Sequence, residues 1–139
     1  MHIIEAFGRI FLSTLFLFEA VRKFFYQDDT IEYMESYGVP EILFYPSLFF
    51  ELIIPIFLII GFKTRIAASL MCLFTLIVSV IFHSDFSDHM QIISFLKNLS
   101  IAGGFLIIAA ITSLSNNGCQ LPPVKGISVL TLVVAIVMI

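Results

Sequence analysis

From Ile66 to Phe82 the sequence contains no charged residue. A run of that kind approaches the about 20 apolar residues that cross a bilayer as a helix. Three more stretches are long and largely apolar: Ile3 to Phe25, whose five charges lie toward its ends, Ile42 to Ile60 and Gln91 to Leu114. Four spans take up roughly 80 residues. In a chain of 139 that leaves loops and no soluble catalytic domain. Composition agrees, with 60% hydrophobic and 12% charged residues, against roughly 45–50% and about 25% in soluble domains. Mean hydropathy is +1.08. These values exclude a disordered chain and an ordinary soluble enzyme. A net charge of −3 without a basic run excludes a nucleic-acid binder, which needs clustered cations against phosphates. The 2 cysteines stand far apart with no CxxC, so a disulfide scaffold is excluded and no zinc-ligand pattern is present. The expected fold is all-α, an integral membrane four-helix bundle over residues 1–114, whose first partner is the lipid bilayer.

The first span carries charges toward both ends and none from Ile10 to Phe18. Glu5–Arg9, Glu19–Lys23 and Glu19–Arg22 have the spacings that put opposite charges on one helical face. No basic N-region or A-x-A site marks a cleavable signal, so this span reads as retained. Asp29-Thr30-Ile31-Glu32 has the form of a capping box. Ile31, Met34 and Tyr37 then share a face, and Gly38 and Pro40 end the helix. A short amphipathic helix is therefore expected in the first outer loop. The second span holds Pro46, Glu51 and Pro55, and Pro55 is expected to kink it. Gly61-Phe62-Lys63-Thr64-Arg65 forms a tight connection, His83 closes the third span, and Lys97 and Asn98 lie in the fourth. A polar tail, residues 115–125, carries the loop signals Asn117-Gly118 and Pro122-Pro123. The final segment, 126–139, is free of charge but short for a span. Three placements stay open for it: interfacial helix, docked segment or short fifth span.

Orientation follows from Lys and Arg near the span ends. Arg9, Lys63, Arg65 and Lys125 fall on one side; Arg22, Lys23 and Lys97 fall on the other. The bias places the Lys63–Arg65 turn and the N-terminus in the cytoplasm. Tyr26, Tyr33, Tyr37 and Tyr45 then form an aromatic belt at the outer interface.

Ionisable groups in a bilayer cost at least about 2.5–3.5 kcal/mol each at its centre, so they persist when paired, when facing a cavity or when used. Glu51 lies midway along its span, about 13 Å from either end. A glutamate cannot reach water from there. It is expected to be protonated or paired with Lys97 or Lys23. Glu19 and Lys97 lie less deep, and His83 continues inward through Ser79 and Thr75 at i−4 and i−8. Glu51, Lys97, Asn98, His83, Lys23 and Glu19 therefore form a candidate pocket in the outer half of the bundle, the usual place for a site in a helical bundle. Each has a plainer reading beside it. Lys23 and Lys97 can snorkel to the headgroups, Glu51 can be a purely structural pair, and His83 can be an interfacial histidine. Ser100 and Gly104 read as close helix packing, and Cys72 as a packed small residue. No catalytic residue and no metal site stands out.

Several elements together resemble the DoxX family of small four-helix membrane proteins: Gly8-Arg9-Ile10 with Lys23, Tyr33-Met34 leading to Gly38-Val39-Pro40, Glu51 followed by Pro55, the Gly61 to Arg65 turn, His83, and the run from Phe95 to Gly104. The resemblance covers Phe7 to Thr112. It implies a multi-pass protein of a bacterial inner membrane. Some relatives are subunits of a thiosulfate:quinone oxidoreductase, and others are tied to membrane oxidoreductase complexes or thiol stress.

Three functions are open at this point. The first is a redox-associated subunit whose pocket holds a quinone: Lys97, Asn98 and His83 donate to its carbonyl head and Glu51 relays a proton. The chain shows no flavin, iron–sulfur or haem motif, so electrons would come from other oxidoreductase subunits. The second is a non-catalytic scaffold or assembly subunit, alone or as a homo-oligomer, and the third a small transporter, which four spans without an inverted repeat support least.

Overall fold

Helix α1, His2–Phe25, is followed after one residue by α2, Gln27–Ser36; a 3-10 turn at Glu41–Leu43 leads into α3, Phe44–Ile60, and then come α4, Thr64–Phe82, and α5, His89–Asn116. This computed structural model describes residues 2–116. The Gly126–Ile139 segment and the polar stretch from residue 117 lie outside the described residues. Helix α5 itself continues through Asn116, two residues past the expected end at Leu114.

Local chemistry explains most of the boundaries. The end of α2 is a Schellman turn: Gly38, at φ 75°, donates to Glu35, and Val39 donates to Met34. The start of α2 differs from expectation. It begins at Gln27 with Tyr26 as N-cap and no side-chain cap, so Asp29 sits inside the first turn and the capping box is not made. Its negative charge still favours the helix N-terminus there. Pro46 lies in the first turn of α3, where its missing N–H costs nothing. Helix α3 runs on through Pro55. Gly61, left-handed at φ 85°, ends it. The three-residue turn to Thr64 then folds α4 back against α3. Asp88 starts α5 by accepting the Met90 N–H at 3.0 Å.

Helices α1 and α3 pack together along their length, as do α4 and α5; α3–α4 and α1–α5 contacts close the ring. The buried core comprises Leu12 and Phe16 of α1, Leu58 of α3, Ala68 and Met71 of α4, and Ala102, Phe105 and Ile108 of α5. These residues concentrate in the half of the bundle nearer the Gly61–Lys63 turn. The Phe16 and Phe105 rings meet at 5.6 Å. At Gly104 an added Cβ would lie 3.1 Å from Leu12 Cδ1, so α1 and α5 cross closely there and a larger residue would have to displace the Leu12 side chain.

Glu41–Ile60, Thr64–Phe82 and His89–Leu114 are long and apolar enough to cross a membrane, and at most 33% of each span window is buried within the protein. The rest is an apolar exterior, which a soluble monomer does not sustain. Helix α1, at 24 residues, is equally long and completes the four-helix bundle; its charges cluster toward its two ends. Helix α2 caps the end opposite the Gly61–Lys63 turn.

Candidate functional site

The α2 half of the bundle collects the polar interior. Lys23 Nζ donates to both oxygens of Glu51, at 2.6 Å and 2.8 Å. The Glu51 side chain is 4% exposed and that of Lys23 23%. Of the two bases the sequence offers Glu51, the structure selects Lys23. Lys97 is exposed and forms no ion pair among the described residues. Two carboxylate–ammonium hydrogen bonds at this length are charge-assisted and strong. They also discharge the cost of burying Glu51 so far from water.

Glu19 does not join this pair. It accepts from Arg22 at 3.0 Å on the outside of α1. His83 is half-buried, and its Nδ1 lies 2.7 Å from Gln91 Oε1. Gln91 Nε2 in turn donates to the Tyr37 hydroxyl at 3.3 Å. This chain ties α2 to the ends of α4 and α5. Beside it, Tyr33 stacks on Phe82 with centroids 5.6 Å apart and planes at 19°, and Tyr37 meets the edge of the same ring at 5.4 Å. Burial first, and then the neighbouring Tyr37, pushes the Tyr33 phenol from 10.0 up to about 12, so it stays neutral. Thr75 and Ser79, on the His83 face of α4, are both buried. Thr75 bonds its own helix at Met71, and Ser79 Oγ has no partner. Asn98 is half-buried. Of the six candidates, Lys23 and Glu51 form an ion pair, Glu19 joins a surface pair and His83 a polar chain; among the described residues no hydrogen bond joins these three groups, and Lys97 and Asn98 stand in none of them.

Two features escaped sequence reasoning. Ser13 is fully buried in α1 with an unpartnered hydroxyl. At the opposite end, Arg9 reaches from α1 to α4: its Nη1 donates to Thr64 Oγ1 at 3.4 Å and lies 3.8 Å from Glu5 Oε1. Thr112 Oγ1 of α5 lies 3.4 Å from Glu5 Oε1, while its closer acceptor is its own helix at Ile108, 2.8 Å away. The Glu5–Arg9 spacing was legible; its extension to Thr64 and Thr112 depends on which helices are neighbours.

Comparison with known proteins bears on this arrangement. The DoxX family profile matches residues 4–84. The chain belongs to the DoxX family. Inner membrane protein YqjF of Escherichia coli (strain K12) is 35% identical over 102 residues, covering 73% of this chain and 78% of the relative. Inner membrane protein YphA of the same organism is 33% identical over 109 residues, with the same two coverages. No solved structure matches the chain. The family match takes in Lys23, Glu51 and His83 and ends at the close of α4, so Lys97 and Asn98 lie beyond it. In this DoxX-family protein the clamp between α1 and α3 thus falls within the matched region.

Proposed function

We propose that this DoxX-family protein is an accessory scaffold subunit of a membrane oxidoreductase assembly in a bacterial inner membrane, with its N-terminus in the cytoplasm. The Lys23–Glu51 pair carries the reading. One ammonium bonds both carboxylate oxygens, so Glu51 serves to hold α1 on α3, and a proton relay through it would first have to break this clamp. The names of the two relatives support the membrane, and the family resemblance supports the oxidoreductase partner. The test is complementation of a deletion strain under thiol stress with the double variant Lys23→Met/Glu51→Leu. Survival and abundance equal to wild type are expected, because an apolar pair of similar volume can replace a buried ion pair. A variant that accumulates normally yet fails to restore survival overturns the scaffold reading.

A second reading places a quinone or similar flat ring at the α2 end. The Tyr33–Phe82 stack favours it, since an aromatic platform lies beside the His83 imidazole. His83 would donate to a carbonyl head there, with Asn98 and Lys97 further down α5 as additional donors. Native mass spectrometry of the protein purified from membranes would then show a retained quinone, and a spectrum of lipid alone removes this reading.

A further inference from the structure

The end of the bundle away from the ion-pair clamp holds an open cavity of about 640 Å³, lined by Gly61, Lys63, Thr64, Arg65, Ile66 and Thr112. Lys63 and Arg65 are exposed, and neither forms an ion pair among the described residues. Arg9 stands behind Thr64 with Glu5 as its counter-charge. The mouth of the cavity thus keeps a net excess of two positive charges.

Of the other polar groups at the cavity, the Thr112 hydroxyl is already bonded to its own helix at Ile108, and those around the start of α4 are donors. Thr64 is only 5% exposed. Its hydroxyl accepts from Arg9, and its own proton has no acceptor among the described residues. The first helical bond of α4 runs from the Ala67 N–H to Lys63, which leaves the N–H groups of Thr64, Arg65 and Ile66 over. Lys63, as N-cap, offers them no side-chain acceptor. A buried hydroxyl proton, three amides, an ammonium and a guanidinium therefore surround one open space, and all of them call for an acceptor with negative charge.

We propose that this cavity binds the phosphate of an anionic phospholipid. Free phosphate shares the headgroup chemistry, but the surroundings favour a lipid. The site lies where α3 ends and α4 begins, at headgroup depth. From its edge Ile66, Leu70, Leu73 and Ile77, all exposed, follow one face of α4 at helical spacing and give an acyl chain a continuous track. Basic pockets at the ends of membrane helices recognise headgroups through this combination of charge and donors.

The test uses the full chain in nanodiscs. Phosphatidylglycerol mixed into phosphatidylcholine is expected to stay bound in native mass spectra of the released protein, and to raise its thermal midpoint. Lys63→Gln/Arg65→Gln should lower retention roughly 10-fold or more, at about 1 kcal/mol per cation near a membrane surface. Lys97→Gln, which removes a cation from the other end, should leave retention unchanged. Thr64→Val keeps both cations and is expected to lower retention as well; it carries the test if the double variant does not fold. Equal retention of the two lipids, or equal loss in the Lys97 variant, overturns the proposal. Inorganic phosphate added to pure phosphatidylcholine discs should not move the midpoint; a rise there equal to that from phosphatidylglycerol would assign the site to free phosphate and sink the lipid assignment.

Discussion

Lys23 of α1 reaches down the bundle to Glu51 of α3, placing its Nζ 2.6 Å from one carboxylate oxygen and 2.8 Å from the other. Helical side chains lean toward the N-terminus of their own helix, and for Lys23 that direction leads into the bilayer toward Glu51. The same lean would carry Lys97, on the antiparallel α5, away from the interior and toward the headgroups. The pair therefore sets the register of α1 against α3.

Removing one partner should cost more than removing both. Lys23→Met leaves a carboxylate that is 4% exposed and is expected to destabilise the fold by about 3–5 kcal/mol; Glu51→Leu leaves an ammonium that is 23% exposed and can turn toward the headgroups, so it should cost less. The double variant should recover most of that loss. Unfolding in mixed detergent micelles, followed by circular dichroism, measures the cycle. Additive losses would mean that the two groups act independently.

Much of this arrangement was present in the sequence. Helix type, the amphipathic helix and the turn glycines followed from hydropathy and from residues that tolerate positive φ. The sequence leaves the partner of Glu51 open between Lys97 and Lys23, and the burial of the two helices decides it. Phe16, Ala20 and Lys23 lie at i, i+4 and i+7, and the first two are buried, so Lys23 shares the inward stripe. On α5 the buried stripe is Ala102, Phe105 and Ala109, which continues back to Asn98 and leaves Lys97 about 100° off it. The Arg9–Thr64 and Glu5–Thr112 contacts were not legible. They join residues 55 and 107 positions apart, and periodicity within one helix carries no information about which helix stands next to it. The start of α2 was misplaced because a capping box is a local preference, and the chain leaving α1 after Phe25 re-enters a helix before Asp29 is reached.

Gly103 and Gly104 should respond in opposite ways to substitution. A Cβ on Gly103 meets nothing within 4 Å, whereas one on Gly104 lies 3.1 Å from Leu12 Cδ1. Gly103→Ala is expected to be neutral or stabilising by up to about 1 kcal/mol, the helix-propensity difference. Gly104→Val should cost about 1–3 kcal/mol through overpacking, and Leu12→Ala in the same chain should recover part of it. Thermal midpoints in nanodiscs read all three. An equal loss at both glycines would show that α5 does not meet α1 at this crossing.

The polar chain His83–Gln91–Tyr37 is expected to hold α2 down. Gln91→Leu removes the acceptor of His83 and the donor to Tyr37 together, at about 0.5–1.5 kcal/mol for each neutral hydrogen bond. Amide exchange across Gln27–Ser36 should then quicken several-fold while α3 and α4 keep their protection. Unchanged exchange in α2 would mean that the Tyr33–Phe82 stack alone secures it.

The pairing of charges sharpens the orientation of the bundle in the membrane. Lys23 is taken up by Glu51 and Arg22 by Glu19, which leaves Lys97 as the cation of the α2 end without an acidic partner among the described residues. At the other end Arg9 is offset by Glu5, while Lys63 and Arg65 remain uncompensated and sit together in a short turn, the setting in which basic residues stay on the cytoplasmic side. The four tyrosines gather at the α2 end. An alkaline phosphatase fusion in the loop at Ser87 should therefore be active and one at Thr64 inactive, with a fluorescent-protein fusion giving the reverse pattern. Phosphatase activity at Thr64 would invert the bundle and place the cavity beside Lys63 in the outer leaflet.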